Sequence, residues 1–148
     1  MNKLQFCTIF GLISSFVAMA FGGWDASIAT LLIFMGVDYV TGIICAFCGK
    51  SAKTENGGAS SAVGLIGLAK KVFILLLIIV AVRLDMLVGT TYIRDAVCLT
   101  FCLNELLSIV ENAGLIGLPI PKALTAGIEA LKDKASEITR KDDEKHGK

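Results

Sequence analysis

Histidine and charge are scarce in this sequence. The single histidine, His146, lies in a charged stretch near the C-terminus. There is no Ser/His/Asp set, no glycine-rich phosphate loop and no metal-ligand spacing. The chain is therefore read as a non-enzyme, with no cofactor and no metal site. Charged residues make up only 18% of the 148, against 55% hydrophobic ones. Mean hydropathy is +0.74. A soluble domain of this size rarely reaches that value, because it must wet its surface. Formal net charge is +1, so there is no polybasic footprint to suggest nucleic acid as a partner.

The apolar residues are gathered into four blocks. Leu4 to Phe21 carries no charge, and Ala26 to Cys48 carries only Asp38. Ala62 to Val82 carries Lys70 and Lys71, and Ala96 to Pro119 carries Glu105 and Glu111. A bilayer core needs about 20 helical residues, which each block nearly or fully supplies. The expected fold is an all-α integral membrane protein with four transmembrane helices in residues 1–119. Residues 120–148 follow as a cytoplasmic amphipathic helix and charged tail. A competing reading makes the first block a cleaved signal peptide, with Ala18-Met-Ala20 as the cleavage site. The small and polar stripe Gln5, Thr8, Gly11, Ser15, Ala18 and Gly22 favours a retained helix, because such stripes let helices approach closely.

Five cysteines form two short spacings, Cys45-x-x-Cys48 and Cys98-x-x-x-Cys102. In the four-span reading these pairs lie at opposite ends of the helices and cannot share one zinc. No βαβ pattern surrounds the first, so they are read as free thiols packed among helices.

Cations are distributed unevenly. Lys3, Lys50, Lys53 and those beyond Pro121 fall on one side of a four-span layout, while Arg83 and Arg94 fall on the other. The positive-inside rule then places both termini and the 49–61 loop in the cytoplasm. Trp24, beside a glycine pair, reads as an interfacial anchor. Pro119 ends the last span, and Pro121 suits the first turn of a new helix. Leu124, Ile128, Leu131, Ala135 and Ile138 recur at steps of four and three, an amphipathic pattern. That helix suits the inner leaflet, copies of itself or plain solvation. From Arg140 onward the chain is expected to be disordered.

The fourth block contains a polar seam. With Asn104 at 0°, Glu105 falls at roughly 100°, Ser108 at roughly 40°, Glu111 at roughly −20° and Asn112 at roughly 80°. One arc of about 120° holds all five, and Leu103, Leu106, Leu107, Ile109 and Val110 lie outside it. The seam must meet protein or water, since an ionised group at the bilayer centre costs about 2.5–3.5 kcal/mol on insertion scales. If the third helix starts near Ser61, Lys70 and Lys71 lie roughly 14 Å above the inner boundary, with Asp38 and Glu105 at roughly 18 Å. These four residues are expected to form an intramembrane cluster of formal charge near zero. A second register starts that helix at Val72, lets the lysines snorkel and buries Arg83 and Asp85 instead. The first register is favoured, because residues two apart do not face each other on a helix. The charges serve either as static glue within one bundle or as a seam that meets partner copies or water on assembly.

The order Gly23-Trp24-Asp25, "DYVTG" at Asp38 to Gly42, "AKK" at Ala69 to Lys71, Asp85, "NELLSIVEN" at Asn104 to Asn112 and "GLPIP" at Gly117 to Pro121 resembles the toxin-secretion/phage-lysis holins. The resemblance covers roughly residues 22–131 of the chain. It implies a small protein of the bacterial cytoplasmic membrane that catalyses nothing. Such a protein self-assembles as a homo-oligomer into lesions that release an endolysin or a toxin, leading to host cell lysis. Two other classes fit the residues. One is a small four-helix transporter or ion channel, with Asp38 or Glu105 binding a proton or cation. The other is a structural subunit of a larger membrane complex.

Overall fold

The computed structural model describes residues 2–146, with side chains except at positions 4, 138, 139 and 141–146. Five helices follow one another: α1 (Lys3–Ala20), α2 (Ala26–Phe47), α3 (Ser61–Val88), α4 (Tyr92–Leu115) and α5 (Lys122–His146). There is no strand among the described residues. The α2 and α3 helices are each long and apolar enough to cross a membrane. The apolar part of α1, Gln5–Ala20, is shorter, and α4 does not meet the same standard. Two candidate spans thus stand where the sequence suggested four.

Local chemistry sets the helix ends. Asp25 caps α2, its carboxylate accepting from the Ile28 N–H at 3.1 Å. The α3 helix starts at Ser61, as the first register requires, and runs six residues past Val82. It stops at Gly89, whose φ of 74° is a left-handed conformation that suits glycine. The α4 helix starts four residues earlier than Ala96, because the Asp85 carboxylate satisfies N–H groups of its first turn. It ends at Leu115, ahead of Gly117 with φ 83° and of Pro119.

The tail differs from expectation. Residues beyond Arg140 continue α5 to His146 instead of fraying. Lys, Glu and Arg are good helix formers, and neither glycine nor proline intervenes before Gly147. Of the amphipathic stripe, Ile128 is buried and Leu124 is exposed, while the Ile138 side chain lies outside the described residues.

The α4 helix is the hub, packing against α2, α3 and α5. Ile28, Leu31 and Met35 of α2, Ile78 of α3, and Cys98 and Cys102 of α4 form the core. The small cysteine side chains let α2 and α4 close together, and Cys98 is 1% exposed. All five cysteines are free; Cys7 and Cys48 are exposed. The outer faces of α2 and α3 remain apolar, with Ile33, Phe73 and Leu76 among the exposed residues. Contiguous apolar surface on this scale suits lipid better than water. The α1 helix stands apart, its described side chains from Gln5 to Val17 all exposed. It joins the bundle at its C-terminal end, where Phe21 packs against the core. There Gly22 has φ 74°, and an added Cβ would lie 3.2 Å from Val82 Cγ2.

Ile78 has 0% exposure and Phe73 has 63%. Ile78→Ala should therefore lower stability by about 2–5 kcal/mol, by lost transfer energy plus the cavity left behind. Phe73→Ala should change it far less. Unfolding of the detergent-solubilised protein, followed by circular dichroism, checks the contrast.

Candidate functional site

Three helices meet at one lysine. Lys71 of α3 donates to Asp38 Oδ2 of α2 at 2.8 Å and forms a close ion pair with Glu105 of α4. All three are buried, with Glu105 only 4% exposed. Asn112, two turns below Glu105, donates through Nδ2 to Asp38 Oδ1 at 3.3 Å and to Thr41 Oγ1 at 3.0 Å. The Thr41 hydroxyl donates in turn to the Asp38 carbonyl at 3.1 Å. The Cys45 thiol donates to the Asn112 carbonyl at 3.2 Å. Ser108 lies within reach of the Asp38 carboxylate. Asp38 is thus met from both sides, while Glu105 is held by Lys71.

Lys70 takes no part in this centre. It is exposed, because a helix turns by about 100° between neighbours and Lys71 occupies the inward direction. The expected neutral set of four is corrected to a set of three. Two carboxylates against one ammonium leave a formal charge of −1.

The polar seam of α4 divides along its arc. Glu105 and Asn112, at one edge, are buried; Ser108 is half-buried; Asn104 and Glu111, at the other edge, are exposed. One half of the seam is satisfied inside the bundle and the other half faces out of it.

A second polar knot closes the opposite end, and sequence reasoning missed it. Arg94 Nη1 donates to Asp25 Oδ2 at 2.7 Å and to Asp95 Oδ1 at 3.2 Å. Its Nη2 approaches the Gly23 carbonyl at 3.4 Å. Asp85 accepts from the Thr90 hydroxyl at 2.6 Å, from Ile93 N–H at 3.0 Å and from Arg94 N–H at 2.8 Å. The α1–α2 turn, the end of α3 and the start of α4 are thereby joined. The available signal was Arg94 itself. A cation in the first turn of a helix sits at the wrong end of the dipole and needs carboxylates around it. Hydrogen bonding to the Arg94 guanidinium holds the Asp25 carboxyl below the usual carboxylate range, against a smaller opposing effect of burial.

No group of three or more His, Cys, Asp or Glu suited to a metal occurs among the described residues. The arrangement binds helices to one another; it offers no nucleophile paired with a base.

An all-helical chain with a lipid-compatible surface and an ion-paired interior has the architecture of a small integral membrane protein. The chain belongs to the bacteriophage holin family, whose model matches residues 15–133. It is similar to an uncharacterised 14.9 kDa protein of Clostridium perfringens, 39% identical over 77% of this chain and 83% of that relative. An uncharacterised protein of Listeria monocytogenes is 35% identical over 98% of this chain and 91% of its own length. A probable holin of Bacillus phage phi105 is 28% identical over 79% of this chain and 82% of its own length. No solved structure matches.

Two predictions follow from the geometry. Lys71→Gln should destabilise the bundle by about 3–5 kcal/mol, because it leaves the buried Asp38 and Glu105 carboxylates without a cation. Adding Asp38→Asn should recover part of the loss, by removing one of the two facing anions. A non-additive term of about 0.5–3 kcal/mol across that cycle, measured by unfolding in detergent, is the expected result. At the other end, the lowered Asp25 pKa contributes stability above the carboxyl's unfolded value, and this is lost as pH falls through the folded one. Asp25→Asn should therefore flatten the acid limb of the Tm profile while lowering Tm at neutral pH.

Proposed function

We propose that this protein is a holin of the bacterial cytoplasmic membrane, whose copies self-assemble into lesions large enough to pass a folded enzyme. The observation that carries this reading is the divided seam of α4, in a chain of the bacteriophage holin family. Asn104 and Glu111 present polar chemistry in the C-terminal half of a helix whose other exposed polar side chains, Asp95 and Thr100, lie nearer its N-terminus. In lipid that edge has no good partner. Against other copies, or along a water-filled lumen, it has one.

In this reading α1 and α4 cross the membrane with α2 and α3, giving four spans. Both termini and the 49–61 loop are cytoplasmic, following the excess of lysine there. The cargo is a cytosolic endolysin or a toxin, and its release leads to lysis of the host cell. The Lys71 centre keeps each copy folded before assembly. Its surplus negative charge lies within the field of the membrane potential, worth about 2.3 kcal/mol per elementary charge per 100 mV of full transit. Collapse of the potential then shifts the balance towards the assembled form.

Expression beside a signal-less muralytic enzyme should give delayed, sudden lysis, brought forward by an energy poison. Release of a folded cytosolic protein from proteoliposomes decides the matter. Leakage of ions with no escape of protein would sink the lesion reading and favour a small transporter or channel. For the topology, reporter fusions at Lys148 and near Gly57 should both read cytoplasmic. An external reading at Lys148 would mean an odd number of spans.

A further inference from the structure

Three charges on the spans belong to neither polar cluster: Arg83 near the end of α3, Lys70 and Glu111. Lys70 of α3 and Glu111 of α4 are both exposed. Among the described residues neither has an ion-pair partner. Each precedes a residue of the buried centre: Lys71 follows Lys70, and Asn112 follows Glu111. With about 100° between neighbours, pointing Lys71 and Asn112 inward turns Lys70 and Glu111 outward. Their exposure is a consequence of the centre itself.

Solvation does not explain Lys70. On its face of α3, Ile66, Phe73 and Leu77 are 56%, 63% and 39% exposed. These residues stand four before, three after and seven after it, so the lysine is set in a lipid-facing row. Glu111 shares its face with Asn104, seven residues earlier, which is also exposed.

The depths lie within reach of each other. The Asp85 carboxylate receives the Arg94 N–H, and Lys71 meets Glu105, so α3 and α4 run antiparallel. Glu111 lies six residues, about 9 Å, further in than Glu105 along α4. Helical side chains lean towards the helix N-terminus. In the proposed topology α3 begins at the inner face and α4 ends there. Lys71 and Glu105 lean in the same senses and already meet, so Glu111 stays about 7.5 Å further in than Lys70, a gap that the long lysine stem spans by extending towards the inner face.

We propose that Lys70 of one copy pairs with Glu111 of a second copy. This rests on the reading of α4 as a span in a self-assembling protein. Made in both directions the contact closes a two-fold pair; made once per interface it is heterologous and repeats from copy to copy. The repeating form builds rings if the rotation closes and open arrays if it does not. The occupant of the surface is a second copy of this chain, selected by opposite charge within reach of the lysine stem.

The test uses full-length protein in membranes of unlysed cells, with Cys7 and Cys48 replaced by serine. One tagged chain carries Lys70→Cys and a differently tagged chain carries Glu111→Cys. A bifunctional thiol cross-linker long enough to bridge that offset should give a heterodimer bearing both tags, about tenfold above a Lys70→Cys with Arg83→Cys control, a ratio equivalent to about 1.4 kcal/mol. Cross-linking no greater than the control overturns the pair. A second arm avoids cysteine and follows association by energy transfer between labelled copies. Lys70→Glu and Glu111→Lys should each reduce it, and the two combined in one chain should restore it. A combined variant no better than either single change also overturns the pair. Neither arm measures protein release. Cross-linked copies that release no protein would support the pair and end the lesion reading. Release without cross-linking would do the reverse.

Discussion

An ammonium ion taken out of water must be met by carboxylates, and Lys71 draws them from two other helices. Asp38 comes from α2 and Glu105 from α4, so one electrostatic requirement sets the relative depth and rotation of three rods. Most of the described packing is consistent with that setting. Lys71, Ile78 and Asp85 are spaced seven apart and lie along one face of α3. The face is charged at both ends and apolar in the middle, where Ile78 meets Leu31, Cys98 and Cys102. Rotating α3 by one residue would exchange Lys71 for Lys70 and lose all three anchors together.

The outer knot complements the inner one. A single point of attachment leaves a helix free to pivot, and two points fix its line. Asp85 lies 14 residues beyond Lys71, about 21 Å along α3. It serves both the turn it belongs to and the first N–H groups of α4. Arg94 extends the connection to the α1–α2 turn through Asp25 and the Gly23 carbonyl. Among the described residues no ion pair ties the length of α1 to the bundle. Its position relative to the bundle therefore depends on this one junction.

Periodicity made part of this legible in the sequence. The arc holding Asn104, Glu105, Ser108, Glu111 and Asn112 follows from helical geometry alone, and the charged residues of the spans stand out against apolar neighbours. Which side of that arc faces inward does not follow, because a helical wheel has no absolute orientation until a neighbour is placed. The choice between Lys70 and Lys71 was lost for a related reason. Depth counts residues along the axis and ignores rotation about it, so adjacent lysines look equivalent. The seven-residue spacing from Asp85 through Ile78 carried the missing information. The outer knot was overlooked because Asp25 lies 60 residues before Asp85, and the nine-residue step from Asp85 to Arg94 crosses a helix start that the block pattern put at Ala96. Block lengths overstated the spans that composition can certify, since α1 is short and α4 is partly polar.

The length of α3 has a consequence of its own. At 28 residues it is about 42 Å long, against a hydrocarbon core of about 30 Å. The apolar stretch Ala62 to Val82 is about 31 Å and matches that core, so the last six residues, with Arg83 and Asp85, extend beyond it. The two anchors of α3 then stand in different surroundings, Lys71 within the apolar stretch and Asp85 past its end. Salt and pH in the outer solution reach the second joint far more readily than the first.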